Sequence, residues 1–498
     1  FLEERKDDIA AMIITHAHED HVGAVHHLWP RLRCPIYCTP FTAACLMSKF
    51  EEAPECKDAR ISIIKQGDTI KAGPFKASFI PVAHSIPETS SILIETKAGR
   101  VLHSADWNLD PAPVVGPKTD GALFQEAAKK GITAYVGDST NAEVQGYSGS
   151  EGDVEKGMAA VFKECEKRII VTIFSSNIGR IRSIAKAAEA NGRSVCVVGR
   201  SLHKMIGNAK SCGYLQDITD FVSEEDASHL PDDKTVIIAT GSQGEARAQL
   251  ARIAAGSHPS IKLSAGDSVI FSSRAIPGNE KDIIHVQNNL AASGVNIITP
   301  RHTKHIIHVS GHPAQEEIKT MFGWLKPESV VAVHGERTML EAHARLAKEQ
   351  GIETAIVPNN GSVIRLAPGP VEIVDHVETG LLAVGPKTVM DADDPSISQR
   401  RKLQYAGTVH VTLVVDDRGN LVADPQVSSV GLQDLDTDEG QALHEDILSE
   451  TEDILADMTR DELRDNAYIA EEVRIGIRRF VMHALRIKPV TSVHVVRV

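Results

Sequence analysis

The sequence predicts an α/β protein of several domains, and three features carry that expectation. Apolar, strand-like runs end in potential metal ligands at four places: residues 9–14 before His16, 80–83 before His84, 101–102 before Asp106 and 330–333 before His334. Strand ends on one sheet edge converge in space, which is where α/β proteins place their sites. From Ser150 helices and strands alternate: helix over 151–166, strand over 168–173, helix over 178–190, strands over 194–198 and 235–239. Such alternation suggests a parallel sheet covered by helices. Finally, 498 residues are enough for about three domains.

The densest chemistry lies in His16-Ala17-His18-Glu19-Asp20-His21. A strand that ends in this loop aims His16 and His18 at one cation. A helix expected over 20–29 starts with Asp20 and His21, which can point at a second cation a few Å away. Two cations that close polarise a phosphoryl or acyl group and lower the pKa of water toward neutrality. His84, Asp106 and His334 can complete the set from separate segments, as zinc sites require. These ligand types suit zinc and manganese alike.

Composition narrows the classes. No run of eighteen apolar residues is present, so no membrane span or membrane partner is expected. The seven cysteines all precede residue 213 and read as reduced thiols of a cytoplasmic protein. A net charge of −14 argues against broad, non-specific nucleic-acid binding. A local basic channel remains compatible with it, with Arg180, Arg182, Arg200, Lys204, Arg274, Arg301 and Lys304 as candidates. Aromatic residues make up only 4%, which favours recognition of phosphate and backbone over stacked bases.

The ligand set resembles that of the metallo-β-lactamase superfamily. More than 200 residues separate Asp106 from His334, enough for an inserted domain. Within them Val136-Gly137-Asp138-Ser139-Thr140-Asn141 resembles the acidic Ser-Thr motif of the β-CASP nucleases. His308-Val309-Ser310-Gly311-His312 resembles their Ser-x-His motif in the form found in ribonuclease J. The segments at 174–178, 199–201, 240–245 and 276–280 are similar too. The resemblance implies an αββα sandwich with an inserted β-CASP α/β domain and a small α/β C-terminal domain. It implies His16, His18 and His84 on one cation, Asp20, His21 and His334 on the other, and Asp106 bridging two divalent cations. It implies tens of residues ahead of the first motif, with strands that are missing from this sequence.

The resemblance implies a metal-dependent ribonuclease that degrades single-stranded RNA 5′ to 3′ from a 5′ monophosphate and also cuts internally, in RNA maturation and decay. His312 is the general-acid candidate because imidazole titrates near working pH. Asp138 would orient it, and Asp106 serves both metal binding and catalysis. His308 is read either as a phosphate contact or as support for the site, after an expected strand. Short polar donors suited to a terminal phosphate are Ser176, Asn177, Ser242, Ser272, Ser273 and Ser310, with Arg274. The alternatives are a β-CASP DNA nuclease and an inactive scaffold in an RNA-degrading assembly; the intact ligand set argues against the scaffold.

The expected boundaries are 1–148 and 301–368 for the metallo-β-lactamase domain, 149–300 for the insert, 369–395 for a linker opened by Pro368-Gly369-Pro370, and 396–498 for a C-terminal dimerisation domain. That domain should hold a strand over 405–415, two helices and a strand over 492–498. A homodimer or dimer of dimers is expected, with decay proteins as further partners.

Overall fold

The computed structural model describes residues 1–385, 388–433 and 436–498. Positions 386–387, in the expected linker, and 434–435, in the expected C-terminal domain, lie outside the described residues. The chain divides into two compact units, Phe1–Glu378 and Thr379–Val498.

The first unit contains a seven-stranded sheet. Its strands lie in the order Thr354–Ile356, Ser329–Val333, Ala134–Asp138, Arg100–His103, Ser90–Glu95, Phe75–Pro81 and Thr69–Ala72. The first four run parallel and the rest pair antiparallel. A smaller parallel sheet joins Met12–Ile13, Ile36–Cys38 and Ile61–Ile63. Ile13 and Tyr37 of the small sheet pack on Phe79 and Ile92 of the large one. The far face of the large sheet, with Leu93, Leu102 and Tyr135, is covered by the helices Gly121–Ala128, Gln315–Leu325 and Arg337–Glu349. Ile36 and Cys38 pack under the helices Val25–Leu32 and Pro40–Phe50. Helix, sheet, sheet and helix thus form the expected αββα sandwich.

The insert is a five-stranded parallel sheet in the order Ser194–Val198, Thr235–Ala239, Ile169–Thr172, Ser268–Phe271, Asn296–Ile298. A parallel sheet covered on both faces needs unbroken apolar strands rather than alternating ones. Ile169 and Val171 accordingly face one helical layer and Ile170 the other. The six cysteines other than Cys212 are buried, and all seven are free thiols.

Several expectations change. The helix expected over 20–29 is two short helices, Glu19–Val22 and Val25–Leu32, broken at Gly23-Ala24; glycine is a poor helix former. The run before His308 forms no strand. The carbonyl of Ile307 is taken instead by the Ser272 hydroxyl at 2.7 Å, so its backbone is satisfied without a ladder. Residues 369–395 carry regular structure rather than a bare linker. Pro368-Gly369-Pro370 lies in the turn between the paired strands Ser362–Arg365 and Glu372–His376 of the first unit. A second pair, Leu382–Val384 with Val389–Asp391, belongs to the second unit.

The second unit has a three-stranded sheet, with Thr408–Val415 antiparallel to Gln426–Val430 and parallel to Val490–Arg497. Val409, Val411, Leu413 and Val415 pack with residues of the helices Asp438–Ala456 and Asn466–Leu485. Tyr405, expected in a strand, ends a helix, Pro395–Ala406. The Asp394 side chain caps its start and Gly407, at φ +63°, ends it.

Candidate metal centre

The seven ligand candidates meet at the edge where the strands end. His16 follows Met12–Ile13, His84 follows Phe75–Pro81, Asp106 follows Arg100–His103, and His334 directly follows Ser329–Val333. His18 precedes the short helix that carries Asp20 and His21. Ala105 (φ +54°) and His334 (φ +59°) are left-handed, a costly backbone state for residues with a side chain and one that clusters at functional sites.

The side chains form two groups that share Asp106. In the first, Asp106 Oδ2 lies 3.4 Å from His16 Nε2 and 3.7 Å from His84 Nε2, which is itself 3.0 Å from His18 Nδ1. In the second, Asp106 Oδ2 lies 3.3 Å from His21 Nε2 and 3.2 Å from His334 Nε2. Asp20 Oδ2 closes that group at 3.5 and 3.3 Å from the same nitrogens. His16 Nε2, His334 Nε2 and Asp106 Oδ1 are buried with no hydrogen-bond partner. Buried polar atoms are rarely left so, and nitrogen and carboxylate lone pairs converging on two points fit two divalent cations. Burial opposes ionisation of Asp106, but His16, His21 and His334 outweigh it and hold the carboxyl well below its usual range.

Other bonds set the ligand tautomers. His84 Nδ1–H donates to the Gly311 carbonyl at 2.7 Å, which leaves Nε2 for the site. His16 Nδ1 lies 3.0 Å from the Thr15 hydroxyl.

Asp138, the last residue of its strand, accepts from His312 Nδ1 at 2.8 Å. The His312 ring stands 5.1 Å from that of His84 and 5.4 Å from that of His334, beside both ligand groups. Burial disfavours the imidazolium, but the Asp138 carboxylate prevails and raises the His312 pKa above its ordinary value. His308 is the opposite case. Burial and the Arg180 guanidinium push it down to about 3, so it is neutral at working pH. Its Nδ1 lies 3.3 Å from Arg180 Nη1, which can only donate.

The expected RNA contacts divide. Asn177 and Ser310 line a narrow cavity beside His84 together with Gly179 and Gly311. The Asn177 side-chain oxygen also caps the following helix through Arg180 N at 2.8 Å. Ser272 is buried and has turned inward, giving its proton to Ile307 O and accepting from Arg180. Ser242 is buried, whereas Ser176 and Ser273 are partly exposed. Arg274 is exposed and donates to Asn141 Oδ1 at 2.7 Å.

The basic-channel candidates divide as well. Arg180 is fully buried on Glu151 at 2.6 Å, and so is an internal clamp rather than a channel residue. Arg182 pairs with Glu155 and Asp217, Lys204 with Glu52, and Lys304 with Glu164. Arg200 and Arg301 are exposed and make no ion pair among the described residues.

Sequence reasoning passed over three contributors. Asn141 donates to Ser310 Oγ and His312 O, bracing the loop that carries the acid candidate. Its place next to the Asp-Ser-Thr motif was the available signal. Thr140 bonds Asp138. His343, buried on the helix Arg337–Glu349, meets the Ser139 hydroxyl at 2.9 Å, and nothing in its sequence context marks it.

Comparison with known proteins places the chain among metallo-hydrolases of one family. Family models match a beta-lactamase superfamily domain over 2–124, a ribonuclease J beta-CASP domain over 166–290, a Zn-dependent metallo-hydrolase RNA specificity domain over 294–358, and a ribonuclease J C-terminal domain over 395–498. A ribonuclease J of Sinorhizobium meliloti is 41% identical over 498 residues, covering 100% of this chain and 88% of that protein. One from Mycolicibacterium smegmatis is 33% identical, covering 98% and 87%. One from Synechocystis is 35% identical, covering 87% and 68%. A solved structure of a protein of unknown function from Enterococcus faecalis shares the fold, with a TM-score of 0.52 at 16% identity, over 73% of this chain and 81% of that one.

Proposed function

Since this chain belongs to the ribonuclease J family and is a metal-dependent ribonuclease, we propose specific roles for the residues of its centre. His16, His18 and His84 would hold one divalent cation and Asp20, His21 and His334 the other, with Asp106 shared by both groups. Such a pair neutralises phosphoryl oxygens and lowers the pKa of water. The nitrogen-rich donor set favours zinc, and manganese is the alternative. His312 gives its proton to the departing 3′-oxygen of the RNA, and Asp138 keeps it charged and oriented. Asp106 would act in catalysis through the cations it would hold. His308, neutral and fixed by Arg180, donates a hydrogen bond to a phosphate.

The observation that carries this reading is the placement of the Asp138–His312 pair beside both ligand groups. The cavity lined by Asn177, Gly179 and Ser310 next to His84 supports capture of a 5′ monophosphate, and Ser176, Ser242, Ser273 and Arg274 are proposed as further RNA contacts. Exonuclease action from that end, endonuclease action elsewhere, and a place in cytoplasmic RNA maturation and decay belong to the same proposal. No helix among the described residues is long and apolar enough to cross a membrane. Residues 396–498 join two subunits, and decay proteins are further partners; light scattering after removal of 396–498 should report the mass of a single truncated subunit, and the mass of two truncated subunits would overturn this part.

A time course on 5′-labelled single-stranded RNA bearing a monophosphate or a triphosphate, beside a matched DNA, tests the reading. Rapid release of labelled mononucleotide from the monophosphate form, lost in His312→Ala and Asp106→Ala, is expected. Internal fragments alone would remove the phosphate-pocket part. Cleavage of DNA and not RNA would overturn the substrate.

A further inference from the structure

Thr140 stands between the second ligand group and the acid–base pair. Its Oγ is 2.7 Å from Asp138 Oδ1, 3.3 Å from His334 Nδ1 and 3.2 Å from the His334 carbonyl oxygen. Its backbone N–H donates to the same Asp138 oxygen at 2.9 Å. The other oxygen, Asp138 Oδ2, takes His312 Nδ1–H.

A threonine hydroxyl has one proton to give. Asp138 is an ionised acceptor, so the shortest contact, at 2.7 Å, takes that proton. Sending it to the His334 carbonyl instead would leave two oxygen lone pairs facing each other at 2.7 Å, one of them on an anion. Charge-assisted bonds are also the stronger ones. Thr140 Oγ must then accept from His334 Nδ1–H. That places the free lone pair of His334 on Nε2, the buried and otherwise unpartnered atom aimed at Asp20 and Asp106.

We propose that Thr140 is a positioning residue that fixes the ligand tautomer of His334 and, through the same hydroxyl, the Asp138 carboxylate behind His312. The chain His334–Thr140–Asp138–His312 makes one unit of a ligand of the second cation and the group that protonates the leaving oxygen. The inference rests on the reading of His334 as a ligand and His312 as the acid. The left-handed backbone of His334 agrees with it, since such a conformation persists only where surrounding bonds enforce it. Outer-shell partners of this kind typically change metal affinity or activity about 10- to 100-fold when removed.

Thr140→Val keeps the shape and removes the hydroxyl; Thr140→Ser keeps the hydroxyl. Each full-length variant is loaded with two equivalents of Co2+ or Zn2+. It is then assayed for cation content against chelators of graded strength, for its Co2+ absorption spectrum, for RNA cleavage and for its urea midpoint. Thr140→Val should hold one of its two cations about 10- to 100-fold more weakly, with the matching part of the spectrum altered and kcat reduced more than KM is raised. Thr140→Ser should restore both cations and turnover. Two cations held at wild-type affinity by Thr140→Val would overturn the proposal, whatever its turnover, and so would a serine variant as impaired as the valine one. If the wild-type protein cleaves no RNA, the parent reading falls, while the cation measurements still decide the role of Thr140.

Discussion

His84 and Gly311 meet at 2.7 Å, imidazole N–H to backbone carbonyl, although 227 positions separate them in the chain. One of these residues belongs to the first ligand group and the other immediately precedes His312. The segment that returns from the insert therefore both delivers the acid candidate and orients a ligand. A side chain at 311 would have no room, since a Cβ there would lie 2.8 Å from the His84 ring and 2.9 Å from Ser85 Oγ.

Gly311→Ala should therefore displace His84 and lower both metal affinity and RNA cleavage, each about 10- to 100-fold, the usual cost of losing an outer-shell partner. Equilibrium cation titration checks it. Wild-type affinity with wild-type turnover would show that the loop yields freely.

On the proposed role of His312 as the acid, its pairing with Asp138 sets a pH dependence. The carboxylate raises the His312 pKa, so the proton donor persists above the ordinary histidine value of about 6.5 and turnover falls as pH climbs through the raised value. Asp138→Asn removes the charge, and the alkaline limb should move to lower pH while kcat drops about 100-fold or more. A kcat–pH profile with an unmoved limb would mean that another group supplies the proton.

Arg180 and Glu151 form a buried pair, with guanidinium nitrogens 2.6 and 2.9 Å from the two carboxylate oxygens. Breaking such a pair from one side strands a charge and costs about 3–5 kcal/mol. Arg180→Met should lower the urea midpoint of unfolding accordingly, and Arg180→Met with Glu151→Leu should recover a large part. A double variant less stable than the single would show that the charges matter less than the shape.

His343 should make the first unit acid-sensitive. Burial lowers its pKa to about 4, so it stays neutral while folded. The unfolded chain binds that proton near pH 6.5. Stability contributed by the neutral form is complete above about 6.5 and declines as pH falls toward 4, by about 3 kcal/mol in all. His343→Gln should flatten that part of the stability–pH curve; an unchanged slope would place the titration elsewhere.

The ligand set was legible because it is local and chemically dense: four donors lie within six positions, and each remaining ligand sits at the end of an apolar run. The insert was legible through its unbroken apolar strands. What escaped depends on distant partners. Arg180 reads as a surface cation until Glu151, Ser272 and Ile307 close around it. Ser272 reads as a phosphate donor until its proton is found to be committed within the fold. Pro368-Gly369-Pro370 reads as a break because turn residues mark hairpins and linkers alike. The strand read over 9–14 is present but shorter, as Met12–Ile13, where it pairs with Ile36 and Tyr37.

The distribution of thiols has a practical corollary. All seven cysteines belong to the first unit. Burial pushes Cys38 and Cys196 up to about 12 and Cys45 to about 11, and alkylating reagents attack only the thiolate. Native protein should resist brief alkylation at these positions and react once that unit opens. Labelled mass then becomes a clock for the opening of the catalytic portion alone, to which residues 379–498 contribute no signal.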